Sequence, residues 1–168
     1  MPAKGPYVSG NLPGPKGKKI IDRDTKAMVT TTKAGPIVAK RAKGSLIEDV
    51  DGNVIIDLFA GIGVQNVGHC HPRVVQAIKD QSEKFIHIAG TDYYYENQIE
   101  LAEKLAKTVP GKMRRKVFFT NSGTEAVEAS LKVAKAATKR QNFVGFIGAF
   151  HGRTMGSLGV TASKPVHR

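Results

Sequence analysis

The stretch FFTNSGTEAVEASLKVAKAATK, at 118–139, decides the fold. It contains a short apolar run, four small polar residues and then apolar residues at helical spacing. The apolar run predicts a buried strand at 117–120, and the spacing predicts a helix over 124–139. A second continuously apolar run predicts another strand at 143–150. Strand, helix and strand in this order are typical of a βαβ unit, so the sequence predicts an α/β fold with the beginning of a mostly parallel sheet.

The four small polar residues, Asn121 to Thr124, lie where the predicted helix begins. The first amides of a helix have no partner within it, and the helix dipole adds about half a positive charge there. Gly123 lets a ligand approach the backbone, while Ser122 and Thr124 carry hydroxyl groups, so the loop predicts a phosphate site. The alternative is that one hydroxyl merely caps the helix. Motifs of the GxGxxG and GxxxxGK[ST] types are absent, which disfavours dinucleotide and P-loop sites.

A second cluster, GAFHGRT at 148–154, follows the second predicted strand. Ligands of open parallel sheets gather beyond the carboxyl ends of the strands, so we expect this cluster at the same edge as the polar loop. Phe150 can stack on a planar heterocycle, and Arg153 can bind a carboxylate with two hydrogen bonds. His151 follows Phe150 in the sequence and is expected at the same edge. The alternatives are a core phenylalanine, a structural histidine and a surface arginine.

The N-terminal half has a different pattern. Residues 1–19 are rich in proline and glycine and predict an extended or irregular arm. Short β-branched runs over 37–59, separated by Lys43–Gly44 and by Asp51–Gly52–Asn53, predict a small antiparallel sheet within an N-terminal segment over 20–70. A glycine-rich loop at 60–72 follows. Residues 71–168 are predicted to be the incomplete start of a large domain, with helices predicted at 73–86 and 96–108.

Composition limits the classes of protein. The chain has 26 Lys and Arg against 14 Asp and Glu, a net charge of +12, but the basic residues are scattered. We therefore expect no nucleic-acid partner. The absence of a long apolar stretch and of a signal sequence, together with a single cysteine, predicts a cytoplasmic protein without a membrane span. The run GHCHP at 68–72 is too tight to direct its side chains at one ion, so we expect a structural turn and no metal.

Three segments resemble a known family. They are DVDGNVIIDLFAGIGVQNVGHCHPRVVQAIKDQ, KVFFTNSGTEAVEASLKVAKAATKR and FIGAFHGRTMGSLGVTASKP. The family is the class III (ω-type) aminotransferases, which use pyridoxal 5′-phosphate and have fold type I, and the resemblance is closest to 4-aminobutyrate aminotransferases. It implies a homodimer that transfers an amino group from an ω-amino acid to a 2-oxo acid acceptor, 2-oxoglutarate.

The resemblance also implies roles for single residues. Ser122, Gly123 and Thr124 would bind the cofactor phosphate, and Phe150 would stack on the pyridine ring, where many relatives have Tyr. His151 would lie beside the ring. Two further residues would bind substrate: Arg153 its carboxylate, and Ile62 as part of the pocket lining.

Enzymes of this family are more than twice this length, and their catalytic lysine lies beyond the matching segments. The resemblance therefore predicts a truncated, inactive N-terminal portion that contains no catalytic residue. Other functions remain open: an ornithine-type aminotransferase or amino-acid racemase of the same family, or a non-catalytic basic module that binds phosphate or nucleic acid.

Overall fold

The computed structural model describes residues 5–29, 33, 35–111, 113 and 115–167. The chain divides into two compact units, residues 1–89 and residues 90–168, so the first unit continues past the boundary predicted after residue 70. Within the described ranges, no helix is both long and apolar enough to cross a bilayer. The elements in chain order are α1 Pro15–Ala27, β1 Ala39–Lys43, β2 Leu46–Asp49, β3 Val54–Ile56, α2 Ala60–Gly63, α3 Pro72–Ser82, α4 Glu96–Thr108, α5 Gly123–Thr138, α6 Met155–Gly159 and a 3-10 turn at Pro165–His167.

The three strands form an antiparallel sheet in the order β1-β2-β3, as predicted for 37–59. Both predicted breaks are turns, and each contains a glycine with positive φ: 57° at Gly44 and 91° at Gly52. Such φ values are unfavourable for residues with a Cβ atom. Val54 of β3 is 3% exposed and is the buried apolar centre of this small sheet.

The turn between β2 and β3 is built around Asn53, which is 1% exposed. Its side-chain amide donates to Asp49 Oδ2 at 2.6 Å, and its backbone N–H donates to Asp49 Oδ1 at 2.8 Å. Its own Oδ1 accepts from the Ser9 N–H at 2.9 Å, which fixes the N-terminal segment to the sheet. Burial raises the pKa of Asp49, but the hydrogen bonds, led by those from Asn53, outweigh it and lower the pKa below its usual value.

Helix α1 corrects the prediction of an extended arm over residues 1–19. Residues 15–19 are helical, residues 5–14 are not, and 1–4 lie outside the described residues. The helix begins at Pro15, a position that suits proline because its missing N–H has no partner there. Asp51, distant in sequence, caps the helix: its carboxylate accepts from the Lys16 N–H at 2.9 Å and from the Gly17 N–H at 2.8 Å. This cap makes a proline- and glycine-rich segment helical.

Helix α4 has the predicted bounds, whereas α3 begins at Pro72, one residue before the predicted start, and ends at Ser82, four residues before the predicted end. The predicted loop at 60–72 contains a single turn, α2, in which Ala60, Gly61, Ile62 and Gly63 have φ values of 47°, 60°, 63° and 84°. Positive φ at a β-branched residue is a true outlier, so Ile62 is held in a strained backbone conformation.

Helix α5 begins at Gly123 and ends at Thr138, close to the predicted helix over 124–139. The strands predicted at 117–120 and 143–150 are wrong for the described chain, because neither segment pairs into a sheet. A strand requires the backbone groups of a neighbour, and the described residues provide none here. Apolar side chains in the two segments predicted as strands are accordingly exposed, with Phe118 79% and Phe146 76% exposed.

Candidate functional site

Ser122 caps helix α5, as the alternative interpretation of the polar loop predicted. Its Oγ accepts from the Glu125 N–H at 3.3 Å. The Glu125 carboxylate reaches back and accepts from the Asn121 N–H at 2.8 Å and from the Ser122 hydroxyl at 3.1 Å. Sequence reasoning overlooked Glu125, although Ser-x-x-Glu before a helix is a capping-box signal.

The cap leaves two amide donors available. The N–H groups of Gly123 and Thr124 make no hydrogen bond with any described part of the chain. As the first two amides of α5 they have no partner within the helix. An added Cβ at Gly123 would meet nothing within 4 Å, so the approach to these amides is open. The start of α5 therefore has the donors of an anion site, and the cap does not fill it.

The Thr124 hydroxyl faces the second cluster instead of the open approach. It lies 2.8 Å from Thr154 Oγ1 and 2.6 Å from Ser157 Oγ. Gly152 packs so closely that an added Cβ would lie 2.1 Å from Thr124 Oγ1, and its φ is 137°. The structure thus brings the 148–154 segment to the start of α5, as expected from the sequence.

A buried polar cluster holds the backbone of that segment. Thr161 is 5% exposed, and its hydroxyl lies 3.1 Å from the Gly152 carbonyl and 2.8 Å from that of Ser157. The same hydroxyl oxygen accepts from the His151 N–H at 3.0 Å. Ser157 is fully buried beneath the loop. These contacts fix the path of the chain through His151 and Gly152.

Glu128 completes the cluster from the second turn of α5. Its Oε1 accepts from the Thr154 hydroxyl at 2.6 Å, the Gly156 N–H at 2.8 Å and the Ser157 N–H at 3.0 Å. The hydrogen bond from Thr154, followed by those from the backbone, lowers the pKa of Glu128 below its usual value. Sequence reasoning missed this residue because its partners are 26 to 29 positions away.

The remaining predicted site residues are accessible. Phe150 is 54% exposed, and both His151 and Arg153 are exposed at the same segment. They are therefore not buried in a core, which was the alternative for Phe150. Ile62 belongs to the first unit, where it is 80% exposed on the strained turn α2.

The GHCHP run forms a structural turn in the first unit. His69 Nε2 lies 2.6 Å from Asp57 Oδ2, and the backbone of His69 exchanges two hydrogen bonds with Gly44 at 2.8 and 2.9 Å. The hydrogen bond from His69 is the main cause of a lowered pKa for Asp57. Within the described residues, no three His, Cys, Asp or Glu side chains are grouped as metal ligands.

Comparison with known proteins identifies the family. Residues 28–168 match the family model described as aminotransferase class-III. The chain belongs to this family. A similar relative is the acetylornithine aminotransferase of Methanosarcina mazei, which is 47% identical over 91% of this chain and 38% of its own length. The 5-aminovalerate aminotransferase DavT of Pseudomonas aeruginosa is 48% identical over 75% of this chain and 30% of its own length.

Solved structures support the fold of this class-III chain. The taurine:2-oxoglutarate aminotransferase of Bifidobacterium kashiwanohense, in complex with PLP and glutamate, superposes with a TM-score of 0.79 and 25% identity. The match covers 90% of this chain and 34% of that one. The predicted α/β fold of type I is confirmed, and the described part of this chain contributes helices and a small antiparallel sheet to it.

The comparisons also limit the finer prediction. The class-III family is confirmed, but similar relatives carry acetylornithine and 5-aminovalerate names, which does not establish a 4-aminobutyrate type. The chain spans between 30% and 38% of the length of these two relatives. The activity proposed below is therefore that of a longer protein.

Proposed function

We propose that this chain is the N-terminal part of a pyridoxal 5′-phosphate-dependent aminotransferase, which transfers an amino group from an ω-amino acid of the 4-aminobutyrate type to 2-oxoglutarate. The observation that carries the proposal is the pairing of two open amides at the start of α5 with the 150–153 segment, joined by the hydrogen bond between Thr124 and Thr154 at 2.8 Å. DavT supports an ω-amino donor, and the Bifidobacterium enzyme supports 2-oxoglutarate as acceptor.

The donors at the start of α5 fit the phosphate of the cofactor. The amides of Gly123 and Thr124 are directed out of the helix end, where an anion is stabilised by the dipole. The Ser122 hydroxyl joins them when it rotates away from Glu125. The Thr124 hydroxyl stays with Thr154 and Ser157, so this threonine contributes its backbone N–H and not its side chain.

The exposed side chains at 150–153 are proposed to bind the cofactor ring and the substrate. Phe150 would stack on the pyridine ring, with His151 beside it. When bound, the cofactor supplies the electron-withdrawing ring that makes proton loss from the substrate carbon possible. Arg153 would bind the substrate carboxylate through its planar guanidinium. Ile62, in the first unit, is proposed separately as a residue that lines a substrate pocket.

The chain alone is expected to be inactive because no lysine lies in a segment that matches the family's catalytic lysine. A positioned proton-transfer group supplies about 10²–10⁴ in rate, and covalent attachment of the cofactor goes with this lysine. We further propose that the longer protein is a cytoplasmic homodimer.

The test fuses residues 1–168 to the remaining C-terminal part of the Methanosarcina relative. Glutamate formation from 2-oxoglutarate is then measured with 4-aminobutyrate, 5-aminovalerate and N-acetylornithine. We expect turnover with the ω-amino acids, strongly reduced by Arg153→Lys through a raised KM for the donor. Turnover by the unfused chain would refute the missing-lysine argument, and racemisation of alanine without glutamate formation would support the racemase alternative.

A further inference from the structure

We propose that Glu128 is a positioning residue for the ring of the ligand, because it acts through Thr154 to hold Phe150 and His151 beside the start of α5. The inference rests on the proposed function and assigns a task to a side chain that contacts neither the phosphate donors nor the substrate groups.

Glu128 links two elements that are far apart in sequence. It belongs to α5, and all three of its partners lie at the beginning of α6, at 2.6, 2.8 and 3.0 Å from one carboxylate oxygen. The other oxygen is also closely packed, since an added Cβ at Gly156 would lie 2.3 Å from Oε2. Hydrogen bonds to an ionised acceptor are roughly twice as strong as neutral ones, so this contact binds the end of the segment firmly to α5.

The available protons determine the direction of the hydrogen bond between Thr154 and Glu128. Thr154 has one hydroxyl proton, and Glu128 as a carboxylate can only accept. The proton is therefore donated to Glu128, and Thr154 Oγ1 accepts from the hydroxyl of Thr124 or of Ser157. The Thr154 N–H is held by Ser157 Oγ at 3.2 Å. Glu128 thus orders the hydroxyl groups that hold the end of the 150–154 segment against α5.

The cap of α5 is formed without Glu128. It consists of Ser122 and Glu125, which make no hydrogen bond with Glu128. Loss of Glu128 is therefore expected to loosen the 150–154 segment at its Thr154 end, and with it the placement of Phe150, while Thr161 still holds the His151 N–H and the amides of Gly123 and Thr124 stay in place. A ligand with a ring should lose affinity, whereas a bare phosphate should not. A purely structural role would weaken both ligands alike.

The experiment uses the full 168-residue chain and two probes, inorganic phosphate and pyridoxamine 5′-phosphate, which lacks the aldehyde that reacts with surface lysines. Titrations followed by the ¹H–¹⁵N shifts of Gly123 and Thr124 give Kd for each probe, even when binding is weak. The variants are Glu128→Ala and Glu128→Gln, and the matched control is Glu100→Gln, which removes an exposed carboxylate of α4 that lies 3.4 Å from Lys104 Nζ.

We expect Glu128→Ala to raise Kd for pyridoxamine 5′-phosphate by about tenfold, the effect of removing an outer partner of a ligand-holding group. Glu128→Gln keeps an acceptor oxygen without the charge and should raise it by about threefold. Phosphate binding and the Glu100→Gln control should stay within about twofold of wild type.

Equal weakening of both probes, or no weakening of either, would overturn the positioning role while leaving the proposed function standing. Failure of the wild-type chain to bind pyridoxamine 5′-phosphate more tightly than phosphate would refute the ring site itself, and the role of Glu128 with it. The Leu158 and Thr161 amides, which donate to the Thr154 and Leu158 carbonyls and not to Glu128, show in the same spectra whether the variants keep α6 folded.

Discussion

Gly152 lies where the 148–154 segment packs against the start of α5, and Gly152→Ala tests that packing. Its φ of 137° lies in a region that residues with a Cβ rarely adopt. An alanine methyl would lie 2.1 Å from Thr124 Oγ1 and 2.6 Å from Ser157 Oγ. Neither hydroxyl can move away without breaking its hydrogen bonds to Thr154, so the loop itself has to shift.

The expected cost has two parts. Backbone strain at such a φ costs about 1–3 kcal/mol. Forcing a methyl group into a packed site costs about 1–3 kcal/mol more. The total of about 2–6 kcal/mol is to be compared with Gly148→Ala, which isolates the first part: Gly148 has a φ of 89°, but its added Cβ would meet nothing within 4 Å.

The free energy of unfolding is measured by urea denaturation. Binding of pyridoxamine 5′-phosphate, followed by the fluorescence of this ligand, is the second readout. Gly152→Ala should be less stable than Gly148→Ala by at least about 1 kcal/mol, because only the former adds a steric clash. It should also lose ligand binding, since the 150–153 segment can no longer lie against α5. Equal stability of the two variants, or unchanged ligand affinity in Gly152→Ala, would refute the close approach on which the site depends.

Three other changes test separate features. Glu125→Gln removes a negative charge beside the open amides, so phosphate should bind about two- to fivefold more tightly in the NMR titration, and unchanged or weaker binding would contradict an anion site there. Asp51→Ala removes the distant cap of α1 at a cost of about 0.5–2 kcal/mol, so the amides of this helix should exchange faster with deuterium, whereas unchanged exchange would show that the cap is not needed. Asp57 has a pKa below its usual 3.8 when folded, so its contribution is present above that pH and lost as the pH falls through the folded value. The stability advantage of wild type over Asp57→Asn should therefore shrink on acidification below about pH 4, and an advantage that persists there would show that the hydrogen bond from His69 does not act through the carboxylate charge.

The sequence predicted the elements whose signals are local. Helix α4 has apolar residues at helical spacing and a terminating proline at 110, so both ends were predicted correctly. Helix α5 and the two turns of the small sheet likewise depend on nearby residues. The polar loop and the GAFHGRT cluster were also correctly expected to meet.

Features that depend on distant partners were not predicted. The helix that begins at Pro15 has its first amides capped by Asp51, a residue distant in sequence. Glu128 lies on the helix as an ordinary acidic residue until α6 is placed against it. The predicted strands failed for the same reason, since an apolar run such as 143–150 specifies a preference for burial but not the neighbour that would pair with it.

The left-handed turn at 60–63 has a consequence for engineering. A library at Ile62 selected only for heat resistance should become enriched in glycine and asparagine, which tolerate this backbone without penalty. Under the proposed role of Ile62 in lining a substrate pocket, selection for turnover in the fused enzyme should instead retain a bulky apolar side chain. The divergence of the two libraries would measure how far durability and substrate choice conflict at one residue.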